Sequence, residues 1–168
     1  MRGVFNSHLR LFLKRSQYQE GLDLFDSAPE HIQDLPLMLM HRAEAFRFLE
    51  RGDEAFEIFE KALELTAEDP QMNDIVLGDV GRVGDHETIL AWAEAARERR
   101  PEWGSIHELL AVMYKMKGEV QKEASSYLTA IEHTEIPERK NRLKLVLAMH
   151  YGARDEQDKA IALYREIL

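Results

Sequence analysis

Cysteine is absent from the 168 residues. That excludes disulfides, thiolate metal sites and cysteine nucleophiles together. Long apolar runs are absent too: none approaches the roughly 20 residues that span a bilayer. The first stretch, MRGVFNSHLRLFLKRSQ, interrupts its apolar run with Arg10 and has no small-residue cleavage site, so it makes a poor signal peptide. Cytoplasm is the default location. Basic residues are in deficit, 22 Lys and Arg against 31 Asp and Glu, for a formal charge of −9. Such a balance disfavours nucleic acid or an anionic membrane as the main partner, because phosphate binding needs a basic surface.

The usual marks of catalysis are missing as well. There is no GxxxxGK[ST] phosphate loop and no GxSxG elbow, and LGDVGRVG follows no strand, which removes the dinucleotide reading. Seven histidines are present, at 8, 31, 41, 86, 107, 133 and 150. Neither His86-Glu87 nor His107-Glu108 has a second histidine four residues on, so no HExxH zinc helix forms. The expectation is a non-enzyme with no catalytic residue, metal site or cofactor.

What is present is helical and repetitive. The chain is 45% hydrophobic and 32% charged, as expected of a soluble folded protein. Apolar residues recur at spacings of three and four, and nothing alternates convincingly as a strand. In ERGDEAFEIFEKALELTAEDP, Ala55 and Ala62 flank Phe59 on one helix face, where leucine would bury more area. Steps of 34 residues from Ala62 give Ala28, Ala96 and Ala130. Parallel columns run Phe25, Phe59, Ala93, Tyr127; Gly21, Ala55, Ile89, Glu123; Leu9, Ala43, Leu77, Ala111; and Phe12, Phe46, Val80, Tyr114. A fifth unit follows 37 residues on, with Ala148, Tyr151, Ala160, Tyr164 and Ile167. The extra length falls in HTEIPE. Turn signals split each unit at SQ 16–17, GD 52–53, GD 84–85, GE 118–119 and RDE 154–156, and prolines 36, 70, 101 and 137 fall between units. This reads as ten helices in five units, about 1–34, 35–69, 70–102, 103–137 and 138–168, forming one array.

GDEAFEIFEKALEL at 52–65, LLAVMYKMKGE at 109–119 and the closing proline of ERRP resemble the tetratricopeptide repeat (TPR) family, a 34-residue helix–turn–helix. The resemblance implies an all-α, right-handed α-solenoid of about five hairpins, with the small residues where backbones approach and an aromatic filling the gap. Some positions depart from the pattern. The family's first-helix tryptophan is replaced by Phe5, Leu39, Asn73, His107 and Lys144. Glu123 stands at a small-residue position, with Ala124 next to it to take that role. Gly78, Gly81 and Gly84 predict a short or mobile first helix in the third unit.

The resemblance further implies that first helices line a concave groove for a partner peptide or protein. By register the groove carries Asn6, Arg10, Met40, Glu44, Arg47, Asp74, Gly78, Glu108, Val112, Lys115, Leu145 and Met149, a row that turns apolar toward its end. The family's carboxylate clamp for chaperone tails would need lysine, arginine and asparagine where this chain has Asn6, Arg10, His41, Gln71 and Ile75, which argues against that role. Basic clusters occur at ARERR 96–100, ending a helix, and ERKNRLK 138–144, beginning one; each reads as a solvated face or as a patch for an acidic partner. The first unit also resembles a pentatricopeptide unit, which makes an RNA-binding solenoid the third alternative. Ile161, Tyr164, Ile167 and Leu168 are left for packing at the array's end, with no polar cap after them. They suggest either a piece of a longer protein or a homo-oligomer joined end to end. The expectation for function is therefore a non-catalytic protein-interaction scaffold, with a self-associating assembly subunit as the alternative.

Overall fold

The computed structural model describes residues 2–82 and 84–168, with the side chains of 2–6 and 70 outside the description. Among the described residues eleven helices follow one another: α1 Arg2–Lys14, α2 Tyr18–Asp26, α3 Glu30–Gln33, α4 Pro36–Phe48, α5 Gly52–Leu65, α6 Pro70–Val80, α7 His86–Arg99, α8 Gly104–Lys117, α9 Val120–Glu132, α10 Pro137–Gly152 and α11 Gln157–Ile167. The described residues contain no strand. The fold is all-α and built from helical hairpins. One helix exceeds the ten expected. Pro29, with φ −58°, starts the short α3, Ile32 is buried beneath it, and Gln33 Nε2 donates to the carbonyl of Ala28 at 2.8 Å.

The chain divides into two compact units, Met1–Asp85 and His86–Leu168. In the first, α1 packs on α2 and α4, α2 on α4, and α4 on α5, which meets α6. In the second, α7 packs on α8, α8 on α9, α9 on α10 and α10 on α11.

The repeated columns form the cores of both units. Ala28, Ala62, Ala96 and Ala130 are all buried, as are Phe25, Phe59, Ala93 and Tyr127. Leu9, Ala43, Leu77 and Ala111 are buried also, and Phe12 is half-buried. Direct evidence of close backbone approach comes from Gly104 at the start of α8. A Cβ there would stand 3.2 Å from the carbonyl oxygens of Ala130 and His133 at the end of α9. Glycine opens α8 because a larger residue would press on the neighbouring backbone.

Four of the hairpin turns share one device. Ser16, Glu50, Gly118 and Asp155 have φ of 58°, 59°, 76° and 61°. Successive ones lie 34, 68 and 37 residues apart, at one repeat position. Right after each, Gln17, Arg51, Glu119 and Glu156 donate their backbone N–H to the carbonyls of Phe12, Phe46, Tyr114 and Tyr151 at 2.9–3.1 Å. This is the long-range bond of the Schellman motif. The aromatic column thus supplies both packing and the acceptor that stops α1, α4, α8 and α10. The second turn closes at Glu50, two residues before the expected GD, and Gly52 instead opens α5. Left-handed backbone penalises side chains by about 1 kcal/mol. Glu50→Gly is therefore expected to raise unfolding free energy by about 0.5 kcal/mol, and Gly118→Ala to lower it by about 1 kcal/mol. Urea denaturation compares the two; equal signs would contradict the assignment.

Proline occupies the first turn of α4, α6 and α10, where its missing N–H costs nothing. Helix α6 is short at 11 residues and stops with Gly81 as its C-cap. Of the tryptophan replacements, Phe5 lies outside the described side chains, and Leu39, Asn73 and His107 are buried. Asn73 Nδ2 donates to Thr66 Oγ1 at 3.2 Å and to the carbonyl of Leu63 at 3.4 Å. Satisfied in this way, a polar residue fits a position that otherwise takes an aromatic.

Candidate binding face

In the first unit, α4 carries Met40, Glu44 and Arg47 along one stripe. With Phe59, Asp79 and Arg82 they line a cleft of about 100 Å³. Met40 is buried there, so it forms part of the wall and does not protrude as an anchor. Arg82 bridges to Asp79 at 2.6 Å, and the Arg47 guanidinium lies 3.9 Å from the Phe48 ring centre. Burial pushes the His41 imidazole below its ordinary pKa, with Glu44 opposing. Arg10 is exposed and lines a separate surface with Ser7, Leu11 and Lys14. Asp74 is half-buried in α6 and Gly78 is exposed. Asn6 belongs to α1, with its side chain outside the description.

In the second unit, α8 exposes Val112, Lys115 and Met116, and α10 exposes Arg142, Leu145 and Met149. The exposures of Val112, Met116, Leu145 and Met149 are 38%, 53%, 45% and 61%. Glu108 ties the two stripes together: Arg139 Nη2 approaches its Oε2 at 2.9 Å and Arg142 Nη2 its Oε1 at 3.0 Å. The result is one face, apolar at Val112, Leu145 and Met149 and bordered by cations, while Met116 lines a cleft with His86, Glu87 and Leu90 of α7. Of the other sequence cluster, Arg97 and Arg99 occupy the last turn of α7, where cations complement the helix dipole.

The solvated-face reading of ERKNRLK needs correction at Arg139, whose side chain is buried, because Glu108 on α8 reaches it. Lys144 is turned away toward Glu166 on α11, at 2.8 Å. Ala124 packs, partly buried, against the core beside it. Glu123 itself is buried in the small-residue column, with His150 Nδ1 2.9 Å from its Oε1 and Arg154 Nη2 3.7 Å from its Oε2. The His150 contact is off line for a good hydrogen bond, and Nδ1 has no hydrogen-bond partner. Tyr127, buried close to Glu123 and Glu108, has its phenol pushed up to about 12 and stays neutral. Sequence spacing marked Glu123 as a misfit but held no signal for partners 27 and 31 residues away.

His107 Nε2 donates to the carbonyl of Pro101 at 2.7 Å, and its ring stacks on His133 at 5.8 Å. Burial, chiefly, pushes its pKa down; the Pro101 bond opposes, and His133 and Arg97 push further down. Below its ordinary value of 6.5, the unfolded chain binds a proton that the folded unit resists. Stability therefore falls as pH drops from about 6.5 toward the lowered pKa. His107→Gln should show a smaller loss of urea midpoint between about pH 7 and pH 5 than the parent, read by tryptophan fluorescence; an identical loss would contradict the effect. Among the described residues no group of three or more His, Asp or Glu side chains is placed to hold a metal.

At the chain's end, Ala160 is the buried residue of α11, Ile167 is half-buried, and Ile161, Tyr164 and Leu168 are exposed. No described helix is long and apolar enough to cross a membrane.

No family model and no curated protein matches the chain. Solved structures do. The fold is similar to that of MamA 41-end from Desulfovibrio magneticus RS-1, at 16% identity and a TM-score of 0.54, over 99% of this chain and 92% of that one. A MamA RS-1 double mutant matches at 16% identity and 0.55 over the same shares. MamA AMB-1 matches at 14% identity and 0.52, over 99% and 94%. At such identities the likeness concerns the fold alone, and it supports a helical-repeat fold of the TPR type.

Proposed function

We propose that the chain is a non-catalytic, cytoplasmic interaction scaffold whose five hairpins act as one array and whose first helices receive a partner peptide or protein. The observation that carries this reading is the α8/α10 face, where Val112, Leu145 and Met149 stay exposed on helices whose other sides are packed. Exposed apolar groups clustered beside polar ones mark interaction sites more often than isolated ones do. Pull-down with Val112→Glu and Met149→Glu, alongside Met40→Glu in the first unit, tests it. Loss of captured partners with helicity retained is expected; an unchanged set would remove the face.

A second reading rests on a separate observation, the exposed Ile161 and Tyr164 on α11 with Leu168 just after it. It would join copies into a homo-oligomer. Light scattering of the parent and of Ile167→Lys with Leu168→Lys decides: a concentration-dependent dimer lost in the variant supports assembly, and a monomer throughout removes it.

A further inference from the structure

The acidic total hides a division of charge between helices. The first helices α1, α4, α6, α8 and α10 hold 11 Lys and Arg against 5 Asp and Glu. The second helices α2, α5, α7, α9 and α11 hold 6 against 15. Net charge is thus 11 − 5 = +6 on one set and 6 − 15 = −9 on the other. The basic excess on first helices is larger in the second unit, where α8 and α10 together hold 6 basic and 2 acidic residues. Not all of these cations face solvent: Lys144 turns to Glu166, and Arg139 is buried on Glu108. Lys115 is exposed and forms no ion pair among the described residues, and Arg142 stands 46% exposed beside Leu145 in the α10 stripe.

We infer that the α8/α10 face selects an acidic amphipathic segment of a partner protein, one with apolar anchors at helical spacing flanked by Asp or Glu. This rests on the scaffold reading above and narrows it to a ligand class. Apolar anchors would sit on Val112, Leu145 and Met149, the last a methionine whose unbranched chain adapts to varied shapes. The flanking carboxylates would meet Lys115 and the exposed guanidinium of Arg142. A basic segment would meet like charge at this face, which makes rejection part of the selectivity. An acidic nucleic-acid strand shares the charge but not the anchors. It needs aromatic platforms for its bases, and the aromatic residues of α8 and α10, Tyr114 and Tyr151, are buried.

The experiment uses the whole chain and fluorescence anisotropy with labelled synthetic peptides of about 18 residues, comparable in length to a long protein helix. One peptide has leucine at helical a and d spacing with glutamate beside it. A second replaces each glutamate by lysine, and a third probe is a 20-nucleotide oligouridine, about the length of the longer single-strand sites. The glutamate peptide should bind at least about tenfold tighter than the lysine peptide. Leu145→Glu with Met149→Glu should weaken it about tenfold or more. Lys115→Glu should weaken it about fivefold and narrow the preference, with circular dichroism unchanged in all variants. Equal or tighter binding of the lysine peptide, still lost in Leu145→Glu with Met149→Glu, would overturn the acidic class and leave the scaffold reading standing. Binding untouched by either substitution would overturn both. Oligouridine binding tighter than the glutamate peptide would overturn the inference in favour of nucleic acid, and no saturation by any probe below about 1 mM, the weak end of useful affinity, would overturn it as well.

Discussion

His150→Ala is expected to lower the unfolding free energy of the second unit by about 2–4 kcal/mol, through the lost packing of a buried ring and a buried Glu123 left without its closest polar contact. Glu123 is 3% exposed in α9, and the His150 imidazole Nδ1 stands 2.9 Å from its Oε1. Arg154, at 3.7 Å and partly in solvent, reaches the other oxygen and cannot replace it. Glu123→Ala should cost less, about 1–2 kcal/mol. It removes the charge and restores the small residue that Gly21, Ala55 and their column lead one to expect. The double variant Glu123→Ala with His150→Leu should then lie close to the parent, since a packed apolar substitute often equals a buried polar pair. Trp92 and Trp103 both belong to the second unit, so fluorescence in urea follows this unit selectively. If Glu123→Ala proved costlier than His150→Ala, the pair would be an asset in its own right and the argument would fail.

Phe59→Ala carries the other large effect, about 3–5 kcal/mol in the first unit, as expected for deleting a buried aromatic. The ring is 2% exposed between Ala55 and Ala62, both fully buried. It also lines the cleft of Met40, Glu44 and Arg47, so its loss should loosen that stripe as well as the core. Thermal unfolding by circular dichroism reads the result. A loss below about 1 kcal/mol would mean that the site collapses freely and that its neighbours do not hold the helices apart.

Much of the fold was legible in the sequence because close approach leaves a compositional mark. A helix that must lie against another backbone carries alanine or glycine at the contact, and the 34-residue spacing repeats that mark. The same spacing located the aromatic column, though not its second duty as acceptor for the turn bond. Turn chemistry was less legible. Ser16, Glu50 and Asp155 adopt left-handed backbone without glycine, because the Schellman bond and the packed aromatic hold them there. Helix α3 escaped notice because four residues give no periodicity to read. At the candidate site, register put Val112, Lys115, Leu145 and Met149 on first helices, and the structure has them exposed. It did not separate them from Met40, whose burial depends on the neighbouring α5 and α6. Long-range pairs such as Arg139 with Glu108 and His150 with Glu123 were invisible, since partners so far apart in the chain share no local pattern.

Everything above depends on helices touching where the small column lies. The most direct measurement compares two leucine substitutions on α9, at Ala130 and at the exposed Gln121, by urea unfolding followed through tryptophan fluorescence. Ala130 is fully buried, with its carbonyl 3.2 Å from where a Cβ of Gly104 would stand. Ala130→Leu should cost about 1–3 kcal/mol through overpacking, while Gln121→Leu stays within about 0.5 kcal/mol of the parent. Equal stability of the two variants, or a gain from leucine at Ala130, would contradict close backbone contact at the repeated alanines.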